Sequence, residues 1–217
     1  MIYCFLVIEK FKEEAYKKYP LGKPKHNQAS AYILMLNTGL RTAEALGLIN
    51  SDIDIEKKVM HIQRGVKEAQ KRDGTERKSG REIVVGKLKA ASSKRIVPLN
   101  ETAIQAIIEL RNERYFGKDA PLIPDADGNF TRPLNLRKRF YSILDAAGIE
   151  KKGLHSLRHT FATKLITGVQ AEDGTVKALT PRQVADLLGH TTSEITEMYY
   201  VKRNTDMLIG VTNGFEL

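Results

Sequence analysis

Apolar residues in this chain recur mostly at helical spacing, with one interval where the rhythm changes to alternation. Residues 8–19 read as a charged amphipathic helix closed by Pro20, Gly22 and Pro24. Residues 27–38 read as a second helix, with Ala31, Ile33, Leu34 and Met35 toward a core and Gly39 as its stop. A third follows at once, with Thr42 as its cap and 43–48 as its body. Across 52–63 the pattern shifts: Ile53, Ile55, Val59, His61 and Gln63 suggest strand. Residues 83–85 and 96–97 are two more short strand candidates, with basic loops between them. Helical spacing returns after Asn100, over 102–114, 134–147 and 156–165. Thr180-Pro181-Arg182-Gln183 combines a cap, a proline at the first helical position and a capping-box glutamine, so a helix runs from there through Leu188 and stops at Gly189. Residues 194–200 are expected to form the next helix. The expected fold is mainly α with a small three-stranded antiparallel β-sheet, class α+β.

Charge sharpens this picture. The chain has 217 residues, with 35 Lys and Arg against 26 Asp and Glu. From Arg64 to Arg95 there are eleven Lys or Arg and four Asp or Glu, a local net of +7 out of +9 overall. A concentrated basic segment suits a polyanion such as nucleic acid, although a solvated basic loop has the same composition. The single cysteine, Cys4, excludes an intramolecular disulfide framework and fits a reducing, cytoplasmic setting. The apolar run at 1–8 is too short to span a bilayer and lacks the features of a secretory leader, so no membrane partner is expected.

Four places bear candidate chemistry. In His155-Ser156-Leu157-Arg158 the His and Arg lie three apart, on one helix face, where imidazole and guanidinium can hold a phosphate; alone, such a pair is usually plain surface. Leu188-Gly189-His190 places a His at a helix C-terminus, which favours its protonated form, and Tyr199 follows nine residues later. Thr38-Gly39-Leu40-Arg41 puts an Arg at a sharp turn between two helices, with Glu44 placed to brace it. Lys89 lies between two strand candidates, in Lys89-Ala90-Ala91-Ser92-Ser93-Lys94-Arg95-Ile96-Val97-Pro98. His155 and His159 are four apart and could hold zinc, but no third ligand is obvious and no His-Glu-x-x-His motif is present; no cofactor is expected.

Taken together and in order, TGLRTAEALGL around Arg41, KAASSKRIVPL around Lys89, HSLRHTFAT around His155 and Arg158, LGH ending at His190, and Tyr199 at the usual spacing resemble the tyrosine recombinases, the phage integrase family. The basic hairpin before Lys89 looks like that of integrases from phages and conjugative transposons. The resemblance implies the catalytic-domain fold of that family and site-specific breaking and joining of double-stranded DNA. It implies Tyr199 as nucleophile, Arg41 and Arg158 on the scissile phosphate, Lys89 as general acid, and His155 and His190 in proton transfer and phosphate binding. Tyr200 adjoins Tyr199, and Lys87 and Lys94 compete with Lys89; spacing favours Tyr199 and Lys89. His159 is expected to be structural. A type IB topoisomerase-like activity and a non-catalytic regulator derived from a recombinase are the alternative functions. The family also implies a monomer in free solution and a homo-tetramer on paired DNA sites.

Residues 1–203 are expected to form the catalytic domain. Residues 204–217 are expected to be an apolar tail that docks or exchanges. The first matching motif begins near Asn37, too early for the N-terminal clamp domain of the family, so the chain reads as a fragment of a longer protein. Residues 167–179 lie where a tighter connection is expected, and Gly168 and Asp173-Gly174 suggest a turn or hairpin there.

Overall fold

The computed structural model describes residues 5–73, 76–87, 94–170 and 175–189. The chain divides into two compact units, Met1–Phe161 and Ala162–Leu217. In the first, α1 (Phe5–Ala15), α2 (Ser30–Thr38), α4 (Glu101–Glu113) and α5 (Pro133–Ala146) supply most of the core. Helix α2 is its spine. Ala31, Tyr32, Ile33, Leu34 and Met35 are all covered, so this helix is apolar around its circumference rather than along one stripe. Tyr32 meets Phe140 at 5.2 Å and Phe11 at 6.2 Å between ring centroids, and Phe11 meets Phe140 at 5.6 Å. The Tyr32 hydroxyl donates to the Leu136 carbonyl at 2.8 Å, satisfying the only polar atom of its buried side chain.

This core fixes where α2 ends. Gly39 adopts a left-handed backbone (φ 63°) and its N–H closes on the Met35 carbonyl. Leu40 is buried, Arg41 is extended, and α3 (Thr42–Gly47) starts immediately. Arg41, not Thr42, is the residue that caps this helix, and Thr42 is its first helical residue. Helix α1 stops at Ala15, short of the expected Tyr19, and a turn follows in which Lys18 bridges Pro24. The turn is drawn together by Glu14, which accepts from Lys25 at 2.6 Å and Lys17 at 2.5 Å and lies 3.0 Å from His26. These three partners hold its carboxyl down at about 2, against the opposing effect of burial.

The expected three-stranded antiparallel sheet is present, in the order β1 (Ile53–Asp54), β2 (Val59–Ile62), β5 (Arg95–Pro98). Residues 83–85 do not belong to it. They lie in a separate two-stranded ladder, β3 (Arg64–Asp73) with β4 (Glu76–Lys87), which replaces most of the expected basic loops. Its register runs from Arg64 opposite Lys87 to Asp73 opposite Glu76, with a bulge between Gln70 and Arg72. The base of the ladder is seated on α3. A Cβ on Gly47 would stand 2.7 Å from the Arg64 carbonyl oxygen and 2.9 Å from the Gly65 Cα, so only glycine permits this approach. Arg64 reaches Asp52 at 2.5 Å, and Val66 is buried.

Helix α6 (His155–Thr167) runs from the first unit into the second. In the second unit β6 (Val169–Gln170) pairs antiparallel with β7 (Val176–Lys177), the hairpin suggested by Gly168 and Asp173-Gly174. Helix α7 (Pro181–Leu188) starts as its sequence predicts: the Thr180 hydroxyl accepts from the Gln183 N–H, the Gln183 amide oxygen accepts from the Thr180 N–H, and Pro181 is the first helical residue. Gly189 ends it with φ 66°. The expected helix at 194–200 and the tail at 204–217 lie outside the described residues. No helix among the described residues is long and apolar enough to cross a membrane.

Candidate active site

Three of the six expected site residues, Arg41, His155 and Arg158, fall among the described residues, all in the first unit. Lys89, His190 and Tyr199, with Tyr200, lie outside the described residues. The three come together from distant points in the sequence. Arg158 on α6 donates from Nη1 to the Gly39 carbonyl at 2.8 Å. That carbonyl belongs to the left-handed turn leading to Arg41, so one hydrogen bond ties the α6 arginine to the turn that presents the other. Arg158 is buried, whereas the Arg41 side chain is 37% exposed. Burial, then Arg158, then Arg41 depress the basicity of His155 below the usual histidine value. The imidazole is therefore neutral at neutral pH and able to accept a proton. Its ring stands edge-to-face on His159 at 4.4 Å, which gives His159 a seating role beside it. Among the described residues no group of three or more His, Cys, Asp or Glu is placed to hold a metal ion.

Glu44 organises the other side. It is buried on α3, and each of its oxygens accepts two bonds. Oε1 takes Arg41 Nη1 at 2.7 Å and Arg95 Nη1 at 3.1 Å; Oε2 takes the Arg41 backbone N–H at 2.8 Å and Arg95 Nη2 at 3.0 Å. Burial alone raises its pKa, but Arg95 and then Arg41 more than offset this, and the carboxyl lies below its ordinary value. The brace expected from Glu44 is thus present. Its second partner, Arg95, is a residue to which sequence motifs assign no role. The signal that could have found it is one of parity: Arg95 shares a strand face with buried Val97, while Ile96 between them is 59% exposed. An arginine on the inward face of a strand requires a carboxylate.

Two guanidinium groups near an imidazole, one of them braced by a buried carboxylate, are chemically suited to hold a tetrahedral oxyanion. Solved structures share this fold. The Tn1549 transposon integrase in complex with a circular intermediate DNA superposes with a TM-score of 0.71 over 96% of this chain and 66% of its own, at 19% identity. The XerH site-specific recombinase bound to a palindromic difH substrate gives 0.66 over 98% of this chain and 52% of its own, at 23% identity. The fold class is therefore that of the tyrosine recombinase catalytic domain. Residues 13–206 match the phage integrase family, and the chain belongs to it. A tyrosine recombinase XerC-like protein of Caldanaerobacter subterraneus is 31% identical over 206 residues, 89% of this chain and 50% of the relative. The tyrosine recombinase XerC of Corynebacterium glutamicum is 28% identical over 178 residues, 81% of this chain and 46% of the relative. The chain thus spans about half the length of the curated relatives it matches.

Proposed function

We propose that this chain is the catalytic part of a site-specific DNA recombinase that cuts and rejoins DNA through a 3′-phosphotyrosyl link at Tyr199. The observation that carries the reading is the hydrogen bond from Arg158 on α6 to the Gly39 carbonyl of the turn that presents Arg41, with His155 on the same helix and within the field of both arginines, in a chain of this family. The Tyr199 oxygen attacks the scissile phosphorus and gives up its proton to a neutral imidazole or to water. The bond from phosphorus to the 5′ oxygen breaks, and Lys89 donates a proton to that leaving oxygen. Arg41 and Arg158 hold the two non-bridging oxygens and cancel the charge that grows on them. His190 assists at the same phosphate. Because the phosphotyrosyl ester conserves the phosphodiester linkage, a second 5′-hydroxyl reverses the step without metal or nucleotide.

The partner is double-stranded DNA, acted on by the chain as a monomer when free and as a homo-tetramer on paired sites, with residues 204–217 exchanging between copies. Residues 1–203 act as the catalytic domain. The DNA-bound Tn1549 integrase and XerH neighbours support the choice of partner. The test is incubation with nicked suicide duplexes, in which the cleaved strand diffuses away. A covalent protein–DNA band on a denaturing gel is expected, in the presence of a metal chelator. Absence of the band across a randomised pool of duplexes would reject the reading.

A further inference from the structure

Glu44 faces a conflict that Arg95 resolves. A buried carboxylate paired with Arg41 alone would cancel the charge that Arg41 must offer to a phosphate. It would also be under-compensated, because burial penalises its ionised form. With Arg95 added, two guanidinium groups share one carboxylate, and the group keeps a net positive charge. The division of labour is visible in exposure: the Arg95 side chain is 7% exposed and the Arg41 side chain 37%. Arg95 grips both Glu44 oxygens in a fork, at 3.1 and 3.0 Å, and Arg41 uses the remaining lone pairs through one side-chain and one backbone N–H.

We propose that Arg95 is a positioning residue for the scissile phosphate site: by clasping Glu44 from β5 it fixes the carboxylate that aims Arg41 and frees the Arg41 charge for the phosphate. This rests on the recombinase reading above only for the identity of the phosphate. Arg95 is also the first residue of β5, so the clasp ties this strand to the helix at whose N-terminus Arg41 stands. Several other charged groups on elements packed against α3 have partners of their own, while Lys67 and Lys71 of β3 are exposed to solvent. On β3, Arg64 pairs with Asp52, and Glu68 faces Arg81 and Arg132; on α5, Arg139 donates to Gln28.

The experiment uses the full chain with Arg95→Met, Arg95→Lys and the double variant Arg95→Met, Glu44→Gln. Substrates are nicked duplexes captured covalently by the wild-type chain from a randomised pool, with either a phosphodiester or a neutral methylphosphonate at the cleaved position. Arg95→Met is expected to slow phosphodiester cleavage at least ~30-fold, as for loss of a preorganised charge interaction. The defect should shrink several-fold on the methylphosphonate, which carries no charge for Arg41 to cancel. Arg95→Lys, which keeps the charge but not the fork, should fall between. Glu44→Gln on the Arg95→Met background should recover part of the rate, because the uncompensated carboxylate is gone. An equal defect on both substrates, or none, overturns the proposal. Carboxyl-detected NMR titration of Glu44 decides independently of catalysis: its midpoint should rise in Arg95→Met, and an unchanged midpoint in a folded variant also overturns the clasp. If the wild-type chain captures no DNA, the recombinase reading fails, and the Glu44 titration still decides the clasp.

Discussion

A half-buried imidazole gives up basicity first to desolvation and then to nearby guanidinium charge, and His155, with Arg158 and Arg41 near it, is in that position. Its folded-state pKa lies below the ordinary value of about 6.5. The unfolded chain therefore binds the proton more readily. The stability associated with this site is complete above about pH 6.5 and is lost as pH falls through the folded midpoint. A bound phosphate would bring negative charge to the same place and push the midpoint back up. Imidazole NMR on the free chain should give a His155 midpoint below about 6.5 that rises on adding DNA; a free-state midpoint at or above that value would contradict the geometry. The two arginines should separate in stability but not in rate. Arg41→Ala and Arg158→Ala should each slow cleavage by roughly 100-fold or more. Arg158→Ala should also lower the melting temperature, since it strips a donor from the Gly39 carbonyl and empties a buried position, while Arg41→Ala leaves Glu44 still paired to Arg95. Equal melting temperatures would count against this assignment. At this scale Arg41, His155 and Arg158 were legible because each sits in a local motif with its own spacing. Arg95 was not, because its partner Glu44 is 51 positions away and the apolar Ile96 beside it faces outward.

Elements obey the same distinction. The helices were readable because each carries an apolar stripe, a cap or a stop: Ile104, Ile107 and Leu110 along α4, Thr180 with Gln183, Gly39 and Gly189 in left-handed conformation. The β3–β4 ladder was not, because on its described surface most side chains on both faces meet solvent, and alternation appears only where one face is buried. What holds it is backbone pairing plus the seat on α3, whose first turn carries Glu44. Gly47→Ala tests that seat. The new methyl group would collide with backbone rather than with a movable side chain. A loss of about 1–3 kcal/mol of stability is expected, measured by chemical denaturation, as is usual for overpacking. Unchanged stability would mean that the ladder tolerates displacement from the helix.

At the scale of the molecule, charge and chemistry meet. The basic excess concentrated between Arg64 and Arg95 places cations on the ladder, where Lys67, Lys71 and Arg81 are exposed. Binding to duplex DNA should therefore weaken steeply with salt. Replacing those three by Ala should flatten the log–log slope by up to about 0.9 for each phosphate that is no longer neutralised. An unaltered slope would assign the phosphate-binding cations to another surface. In the proposed reaction the DNA becomes joined to one tyrosine oxygen while Arg41 and Arg158 hold the phosphate beside His155. The most direct measurement is to capture wild-type chain on a nicked duplex, digest the complex, identify the nucleotide-linked peptide by mass spectrometry, and repeat the capture with Tyr199→Phe and Tyr200→Phe. A link at Tyr199 is expected, with no covalent product from Tyr199→Phe despite nearly unchanged non-covalent binding, and full capture by Tyr200→Phe. A link at Tyr200, or full capture by Tyr199→Phe, would contradict it.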